Sequence, residues 1–264
     1  MKNQQAIPTS ITIAGSDSGA GAGIQADMLA MVANGVFATS VIAAITAQNP
    51  NEVRAISTTT PDVFKAQLET VFDYFKPLSA KTGMLFDATH IEIVAEFFRK
   101  NPQVKLVVDP VMISTSGAKL LKDDAVKVLE NQLLPIAYII TPNLDEAKAL
   151  LRIDKIEDMQ TTAQQLSEKF NTSVLLKGGH LQGDEISDIL YTKKGEIFQF
   201  NSKRVANINT HGSGCTLSAA IAANIAKGFD IVSACKKAQA YLLKGMKKPV
   251  NIFGENFINH FPNF

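Results

Sequence analysis

Residues 138–151 read Tyr138-Ile139-Ile140-Thr141-Pro142-Asn143-Leu144-Asp145-Glu146-Ala147-Lys148-Ala149-Leu150-Leu151. The apolar run Tyr138–Thr141 predicts a short buried strand. Asn143 is a natural N-cap for a helix over Leu144–Leu151, and Glu146 stands three residues on, placed to reach back in a capping box. A strand feeding directly into a capped helix is the repeating step of an α/β chain, and the step recurs on both sides. Strands are expected at Ile11–Ala14, Val36–Ala47, Ala80–Met84, Lys105–Asp109 and Ser173–Lys177. Helix-period stretches lie at Ala22–Asn34, Pro61–Tyr74, His90–Lys100, Lys122–Leu133 and Met159–Phe170, with Pro61 suited to a first helical turn. Parallel strands need long crossovers, so the alternation predicts a mostly parallel central sheet with helices on both faces. Ile186–Thr192 and Glu196–Phe200, joined by Lys193-Lys194-Gly195, read as a hairpin. Two helices, Gly214–Lys227 and Asp230–Lys247, follow. No repeat, low-complexity tract or flexible linker divides residues 1–264, which read as one domain.

Composition narrows the function. The 26 Lys+Arg and 25 Asp+Glu leave a formal net charge of +1, which argues against a nucleic-acid binder or a membrane-surface protein that works through a basic field. A hydrophobic content of 46% suits a packed core and excludes a disordered chain. No apolar stretch approaches the ~20 residues of a membrane span. Cys215 and Cys235 offer no disulfide framework, and Met1–Gln5 lacks the apolar core of a secretory signal, so a cytoplasmic location is expected. The basic run Lys244–Lys248 reads as a solvated helix end.

Open α/β sheets bind ligands at the carboxyl ends of their strands, and polar or glycine-rich clusters follow nearly every strand here. The most informative is Asn209-Thr210-His211-Gly212-Ser213-Gly214-Cys215-Thr216, running into an alanine-rich helix. Glycines let several N–H groups converge, and the helix adds its positive end, which together make an anion site. A plain tight turn is the alternative. Cys215 sits at or near the first helical residue, where an otherwise ordinary thiol can have its pKa lowered. It could serve as base, as nucleophile or in packing. Paired with His211 or His180 it would suit a thiol hydrolase. The segment Gly15-Ser16-Asp17-Ser18-Gly19-Ala20-Gly21-Ala22-Gly23 also joins strand to helix, but it lacks a P-loop's Gly-Lys-Ser/Thr and the acidic partner of a dinucleotide fingerprint. Asp109 and Glu146 are carboxylates at strand ends, suited to Mg²⁺ held through waters and phosphates. Glu146 also has the purely structural capping reading. Lys177, in Lys177-Gly178-Gly179-His180, offers a cation. Together these residues suggest phosphoryl transfer with Mg²⁺.

The motifs resemble the ribokinase-like superfamily, and within it the hydroxymethylpyrimidine/phosphomethylpyrimidine kinases of thiamine biosynthesis. The match rests on Ile13–Asp17, Gly21–Asp27, Thr39–Ile42, Ala47–Asn49, Lys81–Leu85, Asp109–Met112, Ile140–Leu144 with Glu146, Lys177–His180 and Thr210–Ser218, collinear over about residues 10–245. The resemblance implies a three-layer α/β/α fold. It also implies an ATP- and Mg²⁺-dependent kinase that phosphorylates 4-amino-5-hydroxymethyl-2-methylpyrimidine and then its monophosphate. Cys215 would be the general base, in the place of another branch's aspartate, and the amides of Gly212, Ser213 and Gly214 would hold developing negative charge. Asp109 and Glu146 would organise Mg²⁺, and Lys177, Thr210 and Asn143 would contact ATP phosphates. Gln48, Ala22, Asp27, Met84 and Val111 would line the pyrimidine pocket. Pyridoxal kinases of the same cysteine-bearing branch are the nearest rival, and a homodimer is implied by the same likeness. Ala20, where the family more often has glycine, and the stretch Gly254–Phe264 depart from the pattern.

Overall fold

The computed structural model describes residues 6–112, 121, 123–179 and 183–262. Eleven strands and eight α-helices follow one another along these residues: β1 Thr9–Asp17, α1 Gly23–Ala33, β2 Phe37–Asn49, β3 Glu52–Thr58, α2 Pro61–Phe75, β4 Ser79–Thr82, α3 Ala88–Lys100, β5 Lys105–Val108, α4 Asp123–Val128, β6 Ile139–Ile140, α5 Leu144–Leu151, α6 Met159–Phe170, β7 Ser173–Leu176, β8 Glu185–Tyr191, β9 Ile197–Lys203, α7 Ser213–Ala226, α8 Ile231–Lys247, β10 Val250–Ile252 and β11 Glu255–Phe257. Nine strands form one sheet in the order β3-β2-β1-β4-β5-β6-β7-β8-β9. The six from β2 to β7 are parallel, while β3 at one edge and the β8–β9 hairpin at the other are antiparallel.

Alternation along the central strands builds two cores. Leu106, Val108, Ile140, Val174 and Leu176 point to the face covered by α2, α3, α5 and α6. Val107, Ile139 and Leu175 point to the face covered by α1, α7 and α8. With both sides apolar, these strands are buried on both faces, as parallel strands under helices must be. Each fully buried Leu, Ile or Phe contributes about 1.5–3 kcal/mol relative to exposure. Helix α7 is buried at every position from Thr216 to Ala226, because the sheet, α1 and α8 enclose it.

Local signals set several boundaries. The capping box of α5 is complete: Glu146 N–H donates to Asn143 Oδ1 and Asn143 N–H to Glu146 Oε2, each at 2.8 Å. Asp158 caps α6 by accepting from Thr161 N–H at 2.7 Å. The helix expected over Lys122–Leu133 is instead α4, a π turn at Leu129–Leu133 and a 3-10 turn at Leu134–Ile136 (Lys122 lies outside the described residues). In the π turn, Glu130 accepts hydrogen bonds from Arg152 and Lys169.

Two features were not anticipated. The edge strand β3 is exposed throughout, and the hairpin β10–β11 stands apart from the main sheet. Strand β2, 13 residues long, runs on past the helices with β3, leaving Ile45 56% and Ile56 41% exposed.

Candidate active site

The carboxyl ends of the parallel strands gather the polar residues into one cleft edge. Asp17 ends β1, Gly83 and Met84 follow β4, Asp109 follows β5, Thr141 to Asn143 follow β6, and Lys177 follows β7. Facing them is the start of α7. Its N-cap, Gly212, has φ +77°, and a Cβ there would lie 1.8 Å from the Gly21 carbonyl oxygen. The two glycine-rich loops, some 190 residues apart in sequence, therefore pack backbone to backbone. A Cβ on Gly214 would meet Lys177 Nζ at 3.2 Å and Asp109 Oδ2 at 3.5 Å, which sets the helix start directly against that ion pair.

Asp109, 2% exposed, accepts from Lys177 Nζ at 2.9 Å and from Thr141 Oγ1 at 3.0 Å. Burial alone would raise its carboxyl pKa, but Lys177 and Lys81 hold it below the usual range. Lys177 is raised: burial pulls it down, and the charges of Asp109 and Glu146 more than offset that. Glu146, 4% exposed, is pushed up to about 7 by burial, with Lys177 only partly opposing. A buried carboxyl held near neutrality is one a cation would settle. Asp109 and Glu146 thus fit Mg²⁺ bound chiefly through phosphates and waters, although the described residues hold no cluster of three His, Cys, Asp or Glu side chains able to hold a metal by themselves.

Three expectations change. Cys215, third residue of α7, has its thiol pushed up to about 11 by burial, with Lys81 pulling it down and Asp27 and Asp109 pushing it further up. Desolvation and the two carboxylates outweigh the pull of Lys81 on this half-buried thiol. Asp27 does not present itself to a pocket: it is 0% exposed, its oxygens lie 2.8 and 2.7 Å from Lys81 Nζ, and Thr12 Oγ1 donates to it at 2.5 Å. Ser213 N–H is spent on the Thr210 carbonyl at 3.0 Å, leaving the amides of Gly214 and Cys215, in the first helical turn, for an anion.

The other expected residues fall as follows. Met84 accepts from Gly15 N–H at 3.0 Å, and its Cε lies against Gly15. Ala22, the N-cap of α1, donates its N–H to Asp17 Oδ2 at 2.9 Å. Val111 N–H turns back to the Asp109 carbonyl at 2.8 Å. Thr210 is exposed at the mouth of the turn. Gln48, at the end of β2, lies 3.4 Å from His211 Nε2, which in turn lies 3.1 Å from Asp17 Oδ2. His211 Nε2 is thus engaged by Asp17, and His180 lies outside the described residues. Sequence reasoning gave no role to Asp17 and Lys81. The signals were an Asp two residues before Gly19, typical of an Asx turn, and a lone cation inside a short strand, Ser79-Ala80-Lys81-Thr82, that lies between apolar ones.

A helix start set beside a lysine and two carboxylates can receive an anion, an arrangement suited to moving a phosphoryl group. Solved structures agree with that reading. A phosphomethylpyrimidine kinase from Clostridium difficile 630 superposes with a TM-score of 0.80 at 39% identity, covering 90% of this chain and 98% of that one. The pyridoxal kinase from Staphylococcus aureus, solved with AMP-PCP and pyridoxal, superposes at 0.87 and 30% identity, covering 98% and 95%. Fold and site together define a kinase of the ribokinase-like α/β/α class. Within that class, the chain belongs to the phosphomethylpyrimidine kinase family, whose model matches residues 17–259. It is 43% identical over 247 residues to a hydroxymethylpyrimidine/phosphomethylpyrimidine kinase of Haemophilus influenzae, covering 92% of each. It is also 43% identical to the chloroplastic thiamine biosynthetic bifunctional enzyme of Arabidopsis thaliana, of whose length it spans 46%. No helix among the described residues is long and apolar enough to cross a membrane.

Proposed function

We propose that this chain, working as one domain in the cytoplasm, uses Mg·ATP to phosphorylate the hydroxymethyl group of 4-amino-5-hydroxymethyl-2-methylpyrimidine. It then phosphorylates the resulting monophosphate to the diphosphate, as a step of thiamine biosynthesis. The observation that carries the reading is the start of α7 set against the Lys177–Asp109 pair, with Gln48 at the end of β2 near His211 of the same turn.

The amides of Gly214 and Cys215, with the helix dipole, receive the equatorial oxygens of the migrating phosphoryl group. Lys177 neutralises charge on the phosphates, and the exposed Thr210 and the N-cap Asn143 border the same edge. Asp109 and Glu146 would hold Mg²⁺, which when bound spreads the negative charge of the phosphates. Gln48, Ala22, Met84 and Val111 surround the pyrimidine, where a carboxamide offers both a donor and an acceptor. Asp27 acts from beneath, through Lys81. Cys215 takes the alcohol's proton. Because its thiol is pushed up to about 11, it does so through a minor thiolate fraction, and the loose transition state of phosphoryl transfer demands little of a base. The ribbon of β2 and β3, with Ile45, Val53 and Ile56 exposed, supports a homodimer formed at that edge.

The test is a product assay of the purified protein with Mg·ATP and three acceptors: the hydroxymethylpyrimidine, its monophosphate and pyridoxal. The diphosphate of the pyrimidine is expected to accumulate. Efficient phosphorylation of pyridoxal with neither pyrimidine product would replace this reading by the pyridoxal kinase one.

A further inference from the structure

The assignment of Gln48 to the substrate leaves a question that the surrounding hydrogen bonds answer: which way its carboxamide faces. Its backbone is clamped, with Gln48 N–H donating to Ser18 Oγ and Ser18 Oγ–H to the Gln48 carbonyl, both at 2.8 Å. Its side chain has two neighbours. The carboxamide is placed with Nε2 3.4 Å from His211 Nε2 and Oε1 3.2 Å from Thr46 Oγ1, an order of the two ends that only hydrogen-bond logic can assign.

His211 Nε2 also lies 3.1 Å from Asp17 Oδ2, and a carboxylate only accepts. Asp17 stays ionised: burial raises its pKa, but the hydrogen bonds from His211, Gly19 and Ala22 hold it below the usual range. Nε2 therefore carries the hydrogen, and a Gln48 NH₂ cannot donate to it. At the other end, Thr46 Oγ1–H is spent on the Ser16 carbonyl at 2.8 Å, so Thr46 Oγ1 can only accept. Both contacts demand that the amide be flipped from that placement, with Oε1 toward His211 and Nε2 toward Thr46. The two amide ends are distinguished by their hydrogen bonds, and here the bonds agree. The ring that imposes this packs closely on Gly21, and its backbone is pinned beside it. A Cβ on Gly21 would fall 2.6 Å from His211 Cδ2, and His211 N–H donates to Asn209 Oδ1 at 2.8 Å.

We propose that Asp17 and His211 are positioning residues that lock the Gln48 carboxamide in one orientation. They thereby select a ring bearing an amine donor beside a ring-nitrogen acceptor over a pyridine bearing a hydroxyl. The remaining N–H and the remaining Oε1 lone pair of Gln48 then meet the substrate in a single order. A carboxamide recognises an amine next to a ring nitrogen in the same two-point manner when it reads adenine. The inference rests on the proposed pyrimidine pocket, and its test separates the two.

The experiment measures kcat and KM for the hydroxymethylpyrimidine, KM for ATP, and kcat/KM for pyridoxal, in Gln48→Ala, His211→Ala, the double variant, His211→Gln and His211→Phe. A lost or misdirected hydrogen bond predicts that Gln48→Ala and His211→Ala each raise the pyrimidine KM about 10-fold, with the ATP KM unchanged. The double variant is no worse than Gln48→Ala alone, because His211 acts only through Gln48. His211→Gln, which returns an N–H near the position of Nε2, recovers most of the loss. His211→Phe keeps a ring against Gly21 without the donor and does not; it stands in if the alanine variant fails to fold. The preference for pyrimidine over pyridoxal falls in His211→Phe. Multiplying effects of about 100-fold in the double variant, or full activity in His211→Phe, overturn the positioning role. A Gln48→Ala enzyme with an unchanged pyrimidine KM overturns the pocket reading itself, and the proposal with it.

Discussion

Lys81 loses its directly bonded counter-charge if Asp27 is changed, and the cost follows from the geometry. Both side chains are 0% exposed, and Lys81 Nζ lies 2.8 and 2.7 Å from the two oxygens of Asp27. Removing one member of such a pair leaves a charge in low dielectric, which costs about 3–5 kcal/mol. Each kcal/mol moves Tm by roughly 2–4 °C in a chain of this size, so Asp27→Leu or Lys81→Met should melt roughly 6–20 °C lower. Removing both charges with side chains of similar volume is often close to neutral, so Lys81→Met/Asp27→Leu should recover most of the loss. Burial pulls the lysine's pKa down, but the charge of Asp27 more than offsets it, and the ammonium ends above its usual value. A group raised in the folded state gives stability that is fully present below its unfolded pKa of about 10.4, so the lysine's share persists through neutral pH, while Asp27, itself raised because burial outweighs the attraction of Lys81, draws on that share when it ionises. Urea titrations of the four proteins at pH 7, followed by circular dichroism, would measure the cycle. Single-variant losses below about 1 kcal/mol, or a double variant that loses the sum of both, would refute the reasoning. If Asp27 instead touched the pyrimidine, Asp27→Asn would raise the pyrimidine KM and leave the urea midpoint alone.

Gly212→Ala should uncouple the two glycine loops. A left-handed alanine costs about 1–2 kcal/mol, and its Cβ would overlap the Gly21 carbonyl oxygen at 1.8 Å. A fall in kcat of about 100-fold with helix content preserved is expected, since small misplacements at a phosphoryl site are that costly; wild-type turnover would show that the loops need not touch. Cys215 should resist alkylation. With its thiol pushed up to about 11, the rate of iodoacetamide labelling, mapped to Cys215 by peptide mass, should climb about tenfold per pH unit from 7 to 10, as the thiolate fraction does. A plateau reached near the ordinary thiol value of about 8.5 would contradict the burial argument.

Helices α5 and α6 begin and end where the sequence places them because their caps are local: Asn143 with Glu146, and Asp158, lie within three residues of the amides they bind. The buried parallel strands were legible as short apolar runs. Strand β3, Glu-Val-Arg-Ala-Ile-Ser-Thr, was not, because it is exposed along its whole length and carries no core-facing alternation. The Cys215 thiol was misjudged because helix position is visible in a sequence, whereas desolvation and the nearness of Asp27 and Asp109 are not. Asp27 was misplaced for a related reason. Its counter-charge lies 54 residues away, and nothing local announces it.

Periodicity, caps and glycine spacing act over a few residues, so residues 1–264 alone determined the α/β layering and the strand ends where a ligand belongs, and the collinear motifs carried the likeness to the family. Partnerships between distant segments come into being only when the sheet orders its strands. The joining of Lys81 to Asp27, of His211 to Asp17 and Gln48, and of Gly212 to Gly21 was therefore decided by the tertiary structure. Charge, proton position and amide orientation depend on neighbours that the chain brings together from far apart.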